Sequence, residues 1–256
     1  MADTPPKDSK DATPPPADQL SITRHRRTVG GREIAYTVTC GTLVLKEESE
    51  KDGKNEGEKA RASVFFIAYT LDEAPDRARR PLTFSFNGGP GSSSVWLHLG
   101  LLGPRRVELD DEGNAGAPPC QLVDNEFSLL PESDLVFIDP VGTGYSRMVS
   151  GEPVKEYHGY KRDLESVGAF IQLYCSRYGR WSSPKYLIGE SYGTTRAAGL
   201  AGHLLDRYGM YLNGLMLVSC ALDFQVLRFD PSNDLPCALY LPTYAATAWY
   251  HKRLAA

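Results

Sequence analysis

Five residues, Gly189-Glu190-Ser191-Tyr192-Gly193, constrain this chain more than any other stretch. They follow a short apolar run, Lys185 to Ile188, and precede an Ala/Leu-rich segment that reads as a helix up to Tyr208 and is ended by Gly209. A serine on a sharp strand-to-helix turn takes a strained backbone, and such a turn tolerates almost no side-chain bulk two residues away. Glycine at both flanks meets that need. The turn lifts the Ser191 hydroxyl out of a sheet to the amino-terminal end of a helix, whose dipole favours developing negative charge. Five letters alone are a modest signal, because a Gly-flanked serine capping a helix would look the same.

Much of the remaining sequence repeats the strand–helix alternation. Pro81 to Phe86 is a short apolar strand, and Leu135 to Ile138 is a continuous apolar run suited to a strand buried on both faces. From Lys155 to Tyr178 the pattern is helical: Leu164, Val167, Ile171, Tyr174 and Tyr178 recur at spacings of 3, 4, 3 and 4, and Gly179 follows as a C-cap. Leu212 to Ser219 supplies one more strand. This order predicts a mostly parallel sheet with helices on both faces. Upstream, Glu33–Leu45 and Ala62–Leu71 read as strands, and the charged stretch between them, KEESEKDGKNEGEKAR, reads as a solvated hairpin loop. The first twenty residues hold five prolines and no apolar stretch, so a disordered tail is expected over residues 1–27 rather than a secretory signal. A strand–helix core is then expected over 28–220.

Composition excludes several function classes. Twenty-eight basic side chains face 32 acidic ones, and the signs are interspersed, so neither nucleic acid nor an anionic membrane has an electrostatic footprint here. No apolar run is long enough to span a bilayer. Five cysteines form no CxxC pair and no metal-ligand spacing, which favours reduced thiols and a cytoplasmic setting. No metal or organic cofactor is implied.

Acyl transfer at a serine needs backbone N–H donors aimed at the tetrahedral oxyanion. One comes from the residue after the nucleophile, Tyr192; the other comes from a Gly-rich loop after an earlier strand. Asn87-Gly88-Gly89-Pro90-Gly91 follows the strand ending at Phe86 and has the small residues such a loop requires. A lone Gly-Gly-Pro-Gly is usually just a turn. Its order here, strand, Gly loop and then the serine turn about a hundred residues on, favours the functional reading.

At these residues the chain resembles the serine carboxypeptidase family. Three segments carry the likeness: FNGGPGSSS (Phe86 to Ser94), DPVGTGYS (Asp139 to Ser146) and IGESYG (Ile188 to Gly193). The resemblance implies an α/β-hydrolase fold and release of carboxy-terminal residues from peptides through an acyl-enzyme. It makes Ser191 the nucleophile, with the Gly89 and Tyr192 N–H groups as oxyanion hole. Asn87, Gly88 N–H and Glu190 would bind the substrate's terminal carboxylate. Glu190 must then share a proton with that carboxylate, since two buried anions cannot sit together. Two positions depart from the pattern: Ser92 stands where secreted members commonly have Cys, and Leu101 where some have a second glutamate. The latter keeps an esterase or acyltransferase reading open.

A serine also needs a base and an orienting carboxylate, which in this fold follow in the order Ser, Asp or Glu, His. The candidates His25, His98, His158, His203 and His251 do not fit that order, and residues 221–256 look like the start of an inserted cap. The resemblance places the Asp and His in a carboxy-terminal segment beyond this sequence. The fold is thus expected to be truncated before its last strands and the chain alone to hydrolyse peptides negligibly. A noncatalytic remnant is the further alternative, and an uncovered sheet edge could support a homodimer.

Overall fold

The computed structural model describes residues 16–51, 54–149 and 157–254. Its main sheet has eight strands, with β1 (Gln19–Val29), β2 (Arg32–Lys51), β3 (Lys54–Leu71), β7 (Asp134–Ile138), β4 (Leu82–Phe86), β9 (Lys185–Glu190) and β10 (Gly214–Val218) side by side in that order. The short β8 (Arg147–Met148) pairs with β3, and β5 (Arg105–Val107) forms a separate ribbon with β6 (Leu122–Asp124). From β7 to β10 the strands run parallel, as the alternation of strands and helices predicts; β1, β2 and β3 join antiparallel.

Every residue of β4 and β7 is buried, the signature of strands covered on both faces. Side chains alternate across the sheet as the two-residue strand period requires. Val136 and Ile138 join Phe66, Phe84 and Leu187 beneath α2 (Tyr160–Arg177) and α3 (Tyr192–Tyr208). Leu135 and Phe137 face the opposite side, with Tyr36, Leu130 and Ile188 beneath α1 (Val95–Leu97) and the wider π-type turn His98–Leu102 that continues it. In α2 the positions Leu164, Val167, Ile171 and Tyr174 are buried, matching the spacing in the sequence. Residues 155 and 156, placed at the start of that helix by the sequence pattern, lie outside the described residues.

Two expectations need correction. Residues 19–27, assigned to the tail, are ordered as most of β1, which pairs along its whole length with β2 through the Gly30–Gly31 turn. A strand this polar is legible only through its partner, since its ladder of backbone hydrogen bonds and not a buried face holds it. Residues 1–15 lie outside the described residues. The charged stretch is also no simple loop. β2 and β3 continue their pairing through it, with Glu47 opposite Lys59 and irregularities at Leu45/Lys46 and Glu48/Glu50. Opposite charges across an antiparallel pair favour the ladder, and Glu47 is further tied to Arg162 of α2 at 2.7 Å. Residues 52 and 53 at the tip lie outside the described residues.

Beyond β10, a 3₁₀ turn (Phe224–Leu227) leads to α4 (Leu235–Tyr250). This segment is held partly by aromatic contact between Phe229 and Tyr240, and much of its apolar surface, including Leu239, Leu241 and Trp249, is exposed.

Candidate active site

The site forms where two neighbouring parallel strands end. β4 and β9 pair so that Phe86, the last residue before the Gly loop, lies opposite Gly189, the first residue of the serine turn. The carboxyl ends of parallel strands are where such sheets bind ligands, because the loops there leave in different directions and open a crevice. Residues about a hundred positions apart are thereby brought together by one strand register.

Ser191 has φ 55° and ψ −124°, a conformation that a residue with a Cβ rarely adopts. Three bonds around it hold the turn: Ser191 N–H donates to Val218 O at 3.0 Å, Thr194 N–H to Ser191 O at 2.9 Å, and Thr194 Oγ1 to Ser191 O at 2.6 Å. A Cβ on Gly189 would stand 2.1 Å from the carbonyl oxygen of Gly193, so the turn closes glycine against glycine, as the pattern requires. The Gly loop approaches as tightly. A Cβ on Gly88 would lie 2.5 Å from Tyr192 N and 2.7 Å from Glu190 O.

Ser191 is half-buried and lines an open cavity of about 490 Å³ with Asn87, Gly89, Ser92, Trp96, Leu97, Gly100, Leu101 and Glu190. Asn87 is buried, and its amide is oriented without ambiguity. Its Oδ1 accepts the Leu97 N–H at 3.0 Å, which leaves Nδ2 to donate to Glu190 Oε2, also at 3.0 Å. Gly88 and Gly89 N–H donate to no acceptor among the described residues, nor does the Tyr192 N–H at the start of α3. All six residues singled out from the sequence therefore gather at one corner: Ser191, Gly89, Tyr192, Asn87, Gly88 and Glu190.

The third motif stands behind this corner as a brace. Asp139 Oδ1 accepts the Ser94 N–H at 2.9 Å and its Oδ2 the Tyr145 N–H at 3.3 Å, while Ser94 Oγ donates to Ile138 O. The exit of the Gly loop is thus tied to the end of β7. Burial pushes the Asp139 carboxyl above its usual range, with the two amide donors opposing. Sequence reading missed one element of the site's support, a buried Arg196–Asp163 ion pair behind the Gly loop. Its signal was an arginine inside an Ala/Leu-rich helix and an aspartate beside the apolar stripe of α2.

No described histidine contacts Ser191. His98 hydrogen-bonds Tyr69 at 2.6 Å under the sheet, and His203 packs against Gly168. His25 stacks on Tyr36, His158 is exposed at the foot of α2, and His251 lies against Tyr250 after α4. Among the described residues no group of His, Cys, Asp and Glu could hold a metal ion, and no helix is long and apolar enough to cross a membrane.

The family model for serine carboxypeptidases matches residues 50–225. Serine carboxypeptidase-like 29 of Arabidopsis thaliana is 32% identical over 195 residues, covering 68% of this chain and 37% of that protein. The pheromone-processing carboxypeptidase KEX1 of Saccharomyces cerevisiae is 32% identical over 160 residues, covering 60% of this chain and 20% of that protein. The chain thus spans between a fifth and about two fifths of the length of these curated relatives. In three dimensions it is similar to the crystal structure of a prohormone-processing carboxypeptidase, Kex1(delta)p of Saccharomyces cerevisiae. That match has a TM-score of 0.54 at 23% identity over 84% of this chain and 47% of that one. With more than half of its residues inside the family model, and with strands, Gly loop and serine turn in α/β-hydrolase arrangement, the chain belongs to the serine carboxypeptidase family.

Proposed function

We propose that the protein releases carboxy-terminal residues from peptides through an acyl-enzyme on Ser191. Ser191 Oγ attacks the scissile carbonyl, and the Gly89 and Tyr192 N–H groups receive the oxyanion that forms. The amine of the terminal residue leaves with a proton, and water then attacks the Ser191 ester to release the shortened peptide. Asn87 Nδ2, Gly88 N–H and Glu190 bind the terminal carboxylate, with Glu190 and the substrate sharing one proton. The reaction also needs a base at Ser191 Oγ, a role that none of the described histidines fills.

One observation carries this reading: Asn87 and Glu190 hydrogen-bond each other on the wall of the cavity that Ser191 lines. An amide and a carboxyl group so paired present an N–H donor and an oxygen that can share the proton of an incoming carboxylic acid, which an ordinary ester site does not need. The test compares a blocked dipeptide carrying a free terminal carboxylate with its carboxamide, using the full-length gene product. The free acid is expected to be cleaved and the carboxamide poorly. Ser191→Ala is expected to lower kcat/KM by at least ~10³-fold. Equal rates on the two peptides, or turnover indifferent to Ser191, would count against it.

Esterase or acyltransferase activity at the same serine is the second reading. It is favoured by Leu101, which is 46% exposed and gives the cavity wall an apolar side chain where some relatives carry a carboxylate.

A further inference from the structure

Arg196 lies in the second turn of α3 and is completely buried. Its Nε donates to both oxygens of Asp163, at 3.0 and 2.8 Å, and Nη1 donates to the backbone oxygen of Asn87 at 2.7 Å. The guanidinium carbon stands 5.2 Å from the ring centre of Phe86 and 5.3 Å from that of Tyr192. One side chain therefore touches the residue before the Gly loop, the first carbonyl of the loop and the residue after the nucleophile. Taking two charges out of water is costly, and apolar side chains of similar volume often serve stability as well. What this pair supplies is geometry.

The geometry follows from the peptide bond. The cis peptides among the described residues are Gly89-Pro90 and Pro118-Pro119, so the Asn87–Gly88 peptide is trans. In a planar trans peptide the C=O and N–H point in opposite directions. With the Asn87 oxygen turned inward onto Nη1, the Gly88 N–H is turned away from Arg196, and the residues on either side of it, Asn87 and Gly89, line the cavity with Glu190 and Ser191. The next peptide is set in the same way, because Gly88 O accepts the Ser92 N–H at 3.0 Å. Arg196 reaches Asp163 and Asn87 O from two different nitrogens of one rigid plane, which fixes their relative direction; a lysine ammonium would have to reach both from a single freely rotating nitrogen.

We propose that Arg196, clamped by Asp163, is a positioning residue that holds the Asn87–Gly88 peptide so that the Gly88 N–H faces the substrate's terminal carboxylate. This rests on the carboxypeptidase reading above and deepens it.

The test uses the full-length gene product with Arg196→Lys, which keeps the buried charge and its pairing with Asp163 but not the fork. A second variant, Asp163→Asn combined with Arg196→Met, removes both charges together and guards against a fold lost to one unpaired ion. Two quantities are read: kcat/KM for a blocked dipeptide free acid and for its methyl ester, and the Gly88 amide resonance after ¹⁵N-glycine labelling. Losing one well-aimed donor to a carboxylate is expected to lower the acid-to-ester ratio roughly tenfold to a hundredfold, mainly through KM. The Gly88 resonance is expected to shift while those of Gly113 and Gly202 stay in place. Equal losses on the two substrates, or an unmoved Gly88 resonance, overturn the proposal. A wild-type enzyme with no preference for the acid overturns the carboxypeptidase reading instead, and the Gly88 resonance then still decides the role of Arg196.

Discussion

Asn87 is held from three directions, by Leu97 N–H at its side-chain oxygen, by Glu190 at its amide nitrogen and by Arg196 at its carbonyl. The loop that follows has no slack. Gly88→Ala must push its new Cβ against Tyr192 N, and backbone on both sides has to move. We expect a folded protein destabilised by about 1–3 kcal/mol with peptide turnover lost, measured by thermal melting beside the dipeptide assay. A different residue sets a pH response. Burial beside Phe137 and Tyr69 pushes the His98 imidazole down to about 4 from an ordinary 6.5. Between those values the unfolded chain binds a proton that the folded chain does not. Stability from this group is therefore full above pH 6.5 and falls away as the pH drops toward 4, by on the order of 3 kcal/mol. Melting temperatures recorded from pH 7 to 4.5 should decline less steeply in His98→Gln, which can still meet the Tyr69 hydroxyl.

At the scale of elements, β7 shows how opposite strand ends take opposite duties. Asp134 at its start accepts Arg80 Nε at 2.8 Å, pairs with the buried Arg180, and also accepts the Leu71 N–H at 3.0 Å. Asp139, just past its end, ties down the Gly loop. Arg180→Met removes one partner and leaves a buried carboxylate short of a donor, so a cost of about 3–5 kcal/mol is expected, read from the denaturation midpoint. A negligible change would mean that Arg80 alone satisfies Asp134. Elements of this kind were legible in the sequence from their apolar residues, continuous over Leu135–Ile138 in β7 and at alternate positions in the LTFSF of β4. β1 and the outer part of the β2–β3 hairpin were not. Their side chains are polar, and what orders them is backbone pairing to a neighbouring strand, which leaves no apolar periodicity in their own sequence.

For the whole molecule, the decisive feature is strand order. β4 lies between β7 and β9, which puts the Gly loop beside both its brace and the Ser191 turn. The other end of the sheet is less complete. β10 pairs with β9 on one side, and its successive residues Leu215, Met216 and Leu217 are all at least 37% exposed. Neighbouring strand residues point to opposite faces, so both faces of β10 are partly exposed. The 256-residue chain by itself is expected to associate as its concentration rises, and Met216→Lys to weaken this, both followed by sedimentation velocity. A monomer at all concentrations would show that α4 or another segment covers this surface.

Reading the sequence alone was enough to place the serine turn, the Gly loop, the alternation of the central elements and the family, because each depends on short-range rules. Glycine goes where a Cβ cannot, and uninterrupted apolar runs mark strands covered on both faces. Only the tertiary structure decided which strands are neighbours, that the polar amino-terminal segment completes the sheet, and that Arg196 reaches from one helix to the carbonyl of Asn87. Those outcomes rest on contacts between residues far apart in the chain, whose energies exist only once the backbone has brought them together.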